Sequence, residues 1–247
     1  LRNSLQDKES AYRTLVENSP DMIIRRDTEG QIIYANPAVT KQIQFIHSYS
    51  VGNKVLSRNE IILYMAELSR NVAATGTSVE LEYKRHLSCG TTRHFKCTML
   101  PERDESGQVV SVLAVARDIT DIKKADELFL AAFNLSPNCM SVIRQKDHTI
   151  IRLNDTFTQT IGLSLDTAKG CTTAELDLWT DKDRFKKTYK LLIEKGYLSN
   201  HEVEYIARGT IRTGLLSSRK ITINEEPCWL HVVTDITEKK RIDAEMA

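Results

Sequence analysis

The sequence predicts an α+β chain made of two copies of one domain, each a five-stranded antiparallel sheet with helices covering one face, joined by a helical linker. Three observations carry this. Asp118-Ile119-Thr120 recurs as Asp235-Ile236-Thr237, and Ser19-Pro20 recurs as Ser136-Pro137, both at a shift of 117 residues; two landmarks sharing one offset mark a tandem repeat. Each copy reads as two strands, several helices and then three strands. Adjacent strands joined by short turns pair antiparallel. The 247 residues thus divide into two domains of roughly 115 residues each, enough to bury a core without staples.

The elements follow in order. Residues 1–18 set Leu1, Leu5, Tyr12, Leu15 and Val16 among polar neighbours, a helix with one apolar stripe. Ser19-Pro20 ends it, because the residue before proline avoids the helical region. MIIRRD (22–27) and QIIYA (31–35) flank a turn at Gly30. Asn36 opens a helix, with Pro37 at its first position. A loosely helical region is expected up to Val51-Gly52, then a helix over 59–73. Three strands follow at 78–87, 92–101 and 109–118. In the second copy a helix over 125–134 leads to Ser136-Pro137. Strands CMSVIRQ and TIIRLN come next, Asn154 opens a helix, and Asp181–Gly196 is a longer one. Strands HEVEYIARG, RTGLLSSRKITI and CWLHVVTD close the copy.

Composition sets outer limits. At 41% hydrophobic and 27% charged residues the chain is ordinary globular protein, and a net charge of +1 offers no general attraction to nucleic acid or anionic lipid. Five cysteines, odd in number and without a Cys-x-x-Cys, argue against a disulfide framework and for a reducing cytoplasm. Apolar runs such as Val112–Ala116 are far too short to span a bilayer, so no membrane contact is expected. The chain begins with Leu and closes on a helical, uncapped run, so we read it as a piece of a longer protein.

The Ser-Pro after a lead-in helix, the asparagines Asn36 and Asn154, and the twice-used Asp-Ile-Thr resemble the landmarks of the PAS domain family. Residues 212–241 are similar to the last two strands of PAS modules in bacterial sensor histidine kinases. The resemblance covers both halves and implies two PAS folds in tandem. It divides the chain into a lead-in helix (1–18), a first PAS domain (19–120), a linker helix (121–134), a second PAS domain (135–237) and the start of an output helix (238–247). Three departures stand out: Asn224–Pro227 replaces the usual Gly turn, Cys89-Gly90 replaces an Asp-Gly turn, and QIQFIHSYSVGNKV (42–55) matches poorly.

Thr120 and Thr237 sit where a strand gives way to a charged, helix-favouring run. A Thr hydroxyl there can accept an N–H of the first helical turn, and Asp121 or Glu238 suits the helix dipole. Asp118 and Asp235 can hydrogen-bond the chain leaving the sheet. The resemblance adds a relay role, in which a change in the sheet becomes tilt or rotation of the departing helix. Ile122, Ala125, Phe129 and Ala132 form a coiled-coil-like spacing. With Leu5, Tyr12 and Leu15 they either pair two chains as a homodimer or pack on their own sheet.

The search for chemistry returns little. His86, Cys89, His94 and Cys97 supply a zinc-type ligand set. His94 and Cys97, however, fall on opposite faces of one strand, and Cys89 is a turn residue, so we assign no metal. Haem-binding relatives place a His on the long helix, and neither 59–73 nor 181–196 has one. Gly170-Cys171-Thr172-Thr173 lacks the Asn and Arg that accompany the Cys of flavin photosensors. No cofactor is expected, although an unidentified small ligand stays open. Strand residues that could line a pocket are Phe95, Cys97, Met99, Leu215, Ile221 and Leu230. No nucleophile–base arrangement or phosphate loop appears, so the fragment is read as non-catalytic. The implied function is a cytoplasmic sensory input that feeds an effector in the same chain, foremost a histidine kinase. A cyclic-dinucleotide enzyme and a ligand-free dimerisation scaffold are the alternatives.

Overall fold

The structure, a computed structural model, describes residues 10, 11, 13–42, 46–223 and 225–246. The stripe residues Leu1, Leu5 and Tyr12, and the turn residue Asn224, lie outside the described residues. The chain separates into two compact units that divide between Asp126 and Glu127.

In the first unit, β1 (Met22–Arg26) and β2 (Ile32–Ala35) form a hairpin, followed by α1 (Pro37–Gln42), β3 (Ile46–Val51), β4 (Lys54–Leu56) and α2 (Arg58–Thr75). The long strands β5 (Val79–Leu87), β6 (Thr92–Arg103) and β7 (Val109–Asp118) complete it, and α3 (Thr120–Leu135) leaves β7. In the second unit, β8 (Cys139–Arg144) and β9 (Ile150–Leu153) precede α4 (Asp155–Ile161), α5 (Leu165–Ala168) and α6 (Lys182–Lys195). Then come β10 (Tyr197–Ala207), β11 (Thr210–Ile223), β12 (Glu226–Asp235) and the departing α7 (Thr237–Glu245).

The sheets run β2-β1-β7-β6-β5-β3-β4 and β9-β8-β12-β11-β10, with every neighbouring pair antiparallel. The first five strands of the one follow the order of the other. The last strand of each repeat is an interior strand, third from the β2 or β9 edge, beside the repeat's first strand.

The first sheet has seven strands rather than the expected five. The region expected to be loosely helical up to Val51 instead turns after α1 into the β3–β4 hairpin, which adds to the edge of β5. Gly52-Asn53 is a two-residue turn between Val51 and Lys54, with Gly52 at φ +55°, the Gly-first pattern of type II′ hairpins. Tyr49 on β3 is buried against Tyr83, which stacks on Phe95 at 5.4 Å.

Helix boundaries obey ordinary capping. Ser57 and Glu60 form a capping box on α2, and Asp181 accepts two first-turn N–H groups of α6. Gly76 and Gly196 close these helices in the left-handed conformation.

Asn36 and Asn154 do more than open helices. Asn154 is fully buried; its Oδ1 accepts the N–H of Met140 and of Phe157, both at 2.9 Å. Its Nδ2 donates to the carbonyls of Phe133 and Asn138, at 3.0 and 2.9 Å. The side chain ties the end of α3, the start of β8 and the first turn of α4 into one knot. Asn36 repeats the tie, accepting from Ile23 N–H and donating to the carbonyls of Val16 and Asp21. Asn154→Ala should lower stability by about 2–4 kcal/mol, because it strands buried backbone groups of three segments. Urea unfolding measures this, and a loss below about 1 kcal/mol would show that the knot is dispensable.

Candidate functional site

Two features meet in each unit: a corner where the last strand hands over to a helix, and a cavity between sheet and helices. At the first corner Asp118 Oδ1 accepts the Thr120 N–H at 2.9 Å and also the Thr120 hydroxyl proton. Thr120 Oγ1 accepts the N–H of His94 on β6 at 2.9 Å, and Ile119 N–H donates to the His94 carbonyl at 2.8 Å. Arg93 pairs with the other Asp118 oxygen at 3.1 Å. The second corner repeats the plan. Thr213 N–H donates to Thr237 Oγ1, Thr237 N–H to Asp235 Oδ1 and Ile236 N–H to the Thr213 carbonyl, each at 2.9 Å. Arg212 holds Asp235 Oδ2 at 2.8 Å.

This corrects the expectation that the threonines cap their helices. Each hydroxyl oxygen is engaged by the neighbouring strand, and α7 begins without any side-chain cap. The motif therefore staples the helix start to the sheet. Burial disfavours the charged form of both aspartates. The hydrogen bonds from Thr120 and Thr237 and the guanidinium groups of Arg93 and Arg212 outweigh it, holding both carboxyls below the ordinary value.

The second unit has a partly open cavity of about 200 Å³ between sheet and helices. Cys139, Ser141 and Ile143 of β8, Leu216 of β11, and His231 and Val233 of β12 line it from the sheet. Phe157 and Ile161 of α4, Trp179, and Phe185, Thr188, Tyr189 and Leu192 of α6 line it from the helical side. Tyr189 and His148 hydrogen-bond at 2.6 Å, linking α6 to the β8–β9 turn at the cavity wall. The buried Nε1–H of Trp179 has no acceptor among the described residues.

The first unit has a cavity of about 180 Å³ between β1, β5, β6, β7 and α2. Cys97 and Met99 line it, with Met22, Ile61, Met65, Tyr83, Arg26, Arg58 and Arg85. Phe95 is buried beside them, under the Arg85 guanidinium at 4.3 Å from the ring centroid. Burial raises the Cys97 thiol to about 11 and the Tyr83 phenol to about 12, so both are neutral at pH 7.

The pocket assignment in the second copy needs correction. Leu215 belongs to the opposite face of β11 from the lining Leu216, by strand alternation. Ile221 and Leu230 pack with Val142, Cys228 and Phe133 of α3. The linker helix thus covers the second face of this sheet, so both faces are apolar, and a one-residue change of phase selects the wrong one. The residues that do line the cavity include His148, Trp179, Tyr189 and His231, which the sequence scatters over distant segments. The four residues weighed as a zinc set are dispersed: His86 bonds Ser50 and Thr92, Cys89 is exposed, and Cys97 is buried in the core. Among the described residues no group of three or more His, Cys, Asp or Glu gathers as a metal site. Cys171 bonds the Thr167 carbonyl and is not among the cavity-lining residues. No described helix is long and apolar enough to cross a membrane.

His231 gives the second cavity a pH signature. Burial lowers its pKa from 6.5 to about 4, and Nδ1 lies 2.6 Å from Ser218 Oγ. The folded state keeps the ring neutral while the unfolded chain protonates it, so stability falls as pH drops through 6.5 towards 4. Linkage puts the loss at about 2 kcal/mol. His231→Gln should flatten this part of the pH–stability curve, read by urea unfolding at pH 7 and 4.5. An unchanged slope would mean that His231 protonates freely in the fold.

The PAS fold family profile matches residues 16–124. The methanogenesis regulatory histidine kinase FilI of Methanothrix harundinacea is 28% identical over 123 residues, which cover 47% of this chain and 13% of that relative's length. Among solved structures, a PAS domain from a two-component sensor histidine kinase matches 46% of this chain and 98% of its own at 12% identity and a TM-score of 0.40. The PAS domain of an HTR-like protein from Haloarcula marismortui matches 48% and 97% at 22% identity and a TM-score of 0.31. Superposition scores this low carry no weight of their own; the sequence match and the strand order do. That match shows a PAS fold over residues 16–124, and the second unit repeats the strand order of the first.

Proposed function

We propose that the chain is the sensory input segment of a cytoplasmic signal-transduction protein, in which a small molecule seated between sheet and helices biases the sheet and the Asp-Ile-Thr corner passes that bias to the departing helix. The observation that carries this is the second corner. Thr237, the first residue of α7, is hydrogen-bonded to Thr213 of β11, while Asp235 at the end of β12 holds the Thr237 N–H and Arg212. A displacement of β11 relative to β12 therefore acts directly on the helix start. His231 and Val233 of β12 and Leu216 of β11 line the cavity, so an occupant touches the strands that carry the staple. The kinase relative supports a histidine kinase as the effector.

A second reading, a dimerisation scaffold, draws on the linker helix. Ile122 and Phe129 are 60% and 43% exposed, and Ala125 and Ala132 are exposed too. Only Phe133, stacked on Phe129 at 5.6 Å, is buried on that helix beyond its first residue. An exposed apolar seam of this spacing suits pairing with a second copy. The two readings are compatible: dimeric helices are levers that an effector can follow.

The test uses the whole protein with its effector. Native mass spectrometry should find a small molecule retained by gently purified protein, and its removal should change effector output. Thr237→Val should leave retention within about twofold while output ceases to follow the molecule; the isostere removes the staple at a cost of about 1–2 kcal/mol. Ligand-dependent output that survives Thr237→Val unchanged would contradict the relay. An empty cavity with constitutive output would favour the scaffold.

A further inference from the structure

The two cavities occupy the same place in the two sheets but differ in charge. The second has no Lys, Arg, Asp or Glu among its lining residues. The first is lined by Arg26, Arg58 and Arg85 and by no carboxylate. Arg26 is only 6% exposed, and its Nη1 donates to the Gly30 carbonyl at 2.7 Å, a neutral partner. Burial lowers its pKa, against the weaker opposing pull of Cys97 and Asp27. A buried guanidinium without a paired anion is costly to keep in a core.

The fold itself does not ask for that charge. Met22 pairs with Ala116, two residues before Asp118, and Cys139 pairs with Val233, two residues before Asp235. The register makes Ile143 the counterpart of Arg26, and Ile143 is buried there at 4% exposure. One sheet fills this position with a hydrocarbon and the other with a cation. Arg58 adds a second positive group. It stands exposed at the first position of α2 and has no ion pair among the described residues. The rest of the wall is apolar, with Met22, Val39, Ile61 and Met65 prominent.

We propose that the first PAS cavity binds a small organic carboxylate, its anionic end held by Arg26 and Arg58 and its apolar body packed among the methionines. A cavity near 150 Å³ admits benzene, so one of about 180 Å³ suits a ring or short chain bearing one carboxylate. This deepens the sensory reading by naming a ligand class. It rests on the cavity being a ligand site and not on any relay to a helix.

Methionine methyl NMR on the full chain tests it. Of the five methionines, Met22, Met65 and Met99 line this cavity; Met140 and Met246 do not, and report on the rest of the fold. Benzoate and hexanoate are titrated at pH 7 beside their uncharged amides, benzamide and hexanamide. Expected is saturable movement of the Met22, Met65 and Met99 methyls by at least one carboxylate with Kd below about 1 mM, and at least tenfold weaker binding of its amide. Arg26→Gln should weaken that carboxylate at least tenfold and Arg58→Gln at least threefold, with Met140 unmoved. If Arg26→Gln unfolds, as its Met140 signal would show, the exposed Arg58→Gln decides. No methyl movement with either carboxylate up to about 10 mM, equal binding of acid and amide, or affinity indifferent to Arg58→Gln would overturn the proposal. None of these outcomes touches the helix response, so failure here is distinct from failure of the relay.

Discussion

The two helices that leave the last strand of each repeat, α3 and α7, start from a threonine whose side chain is bonded to the sheet. A free helix start satisfies its exposed N–H groups with its own cap, as Ser57 and Asp181 do for α2 and α6. Thr120 and Thr237 accept instead from His94 and Thr213 on the adjoining strand. The aspartate two residues earlier then holds the threonine's own N–H and an arginine of that same strand. The start of each helix is thereby fixed by two neighbouring strands.

The asparagine knots complete the frame at the opposite end of the repeat. Asn154 gathers the end of α3, the first residues of β8 and the start of α4, so the segment arriving at the second sheet is tied as closely as the segment leaving it. Between these two anchored points lie the long strands and the cavity. The units spend this common frame differently: one cavity is neutral and aromatic, with Trp179, Tyr189 and His148 at its wall, and the other carries guanidinium groups. Duplication kept the hydrogen-bonded corners and let the wall diverge.

Much of this was legible in the sequence because the relevant interactions are local. Strands β5 to β7 and β10 to β12 announce themselves by alternation and turns, and the Asp-Ile-Thr corners by repetition. What escaped was non-local. The β3–β4 hairpin adds to β5 and sets Tyr49 against Tyr83 across the sheet, and a short run such as IHSYSV shows no such partner in its own spacing. Sequence alone points the threonine hydroxyls to the nearest N–H groups along the chain, whereas their donors lie 26 and 24 residues away. Alternation gives phase without facing, so it cannot say which side of the sheet Leu215, Ile221 and Leu230 occupy; Phe133 of the linker helix packs with Ile221 and Leu230 on the side away from the cavity. His148 and His231 carry no motif, and only the fold brings them to one cavity.

The central claim is that the corner hydroxyls bind the strand rather than the helix, and residue-resolved amide hydrogen exchange addresses it most directly. The account predicts that the amides of His94 and Thr213 exchange as slowly as those of the central strands β7 and β12, and that valine at position 120 or 237 speeds exchange of the matching amide alone. If both amides exchanged at the rate of the exposed Gly107 and Gly209 turns, the helices would not be stapled to the sheets and the account would fail.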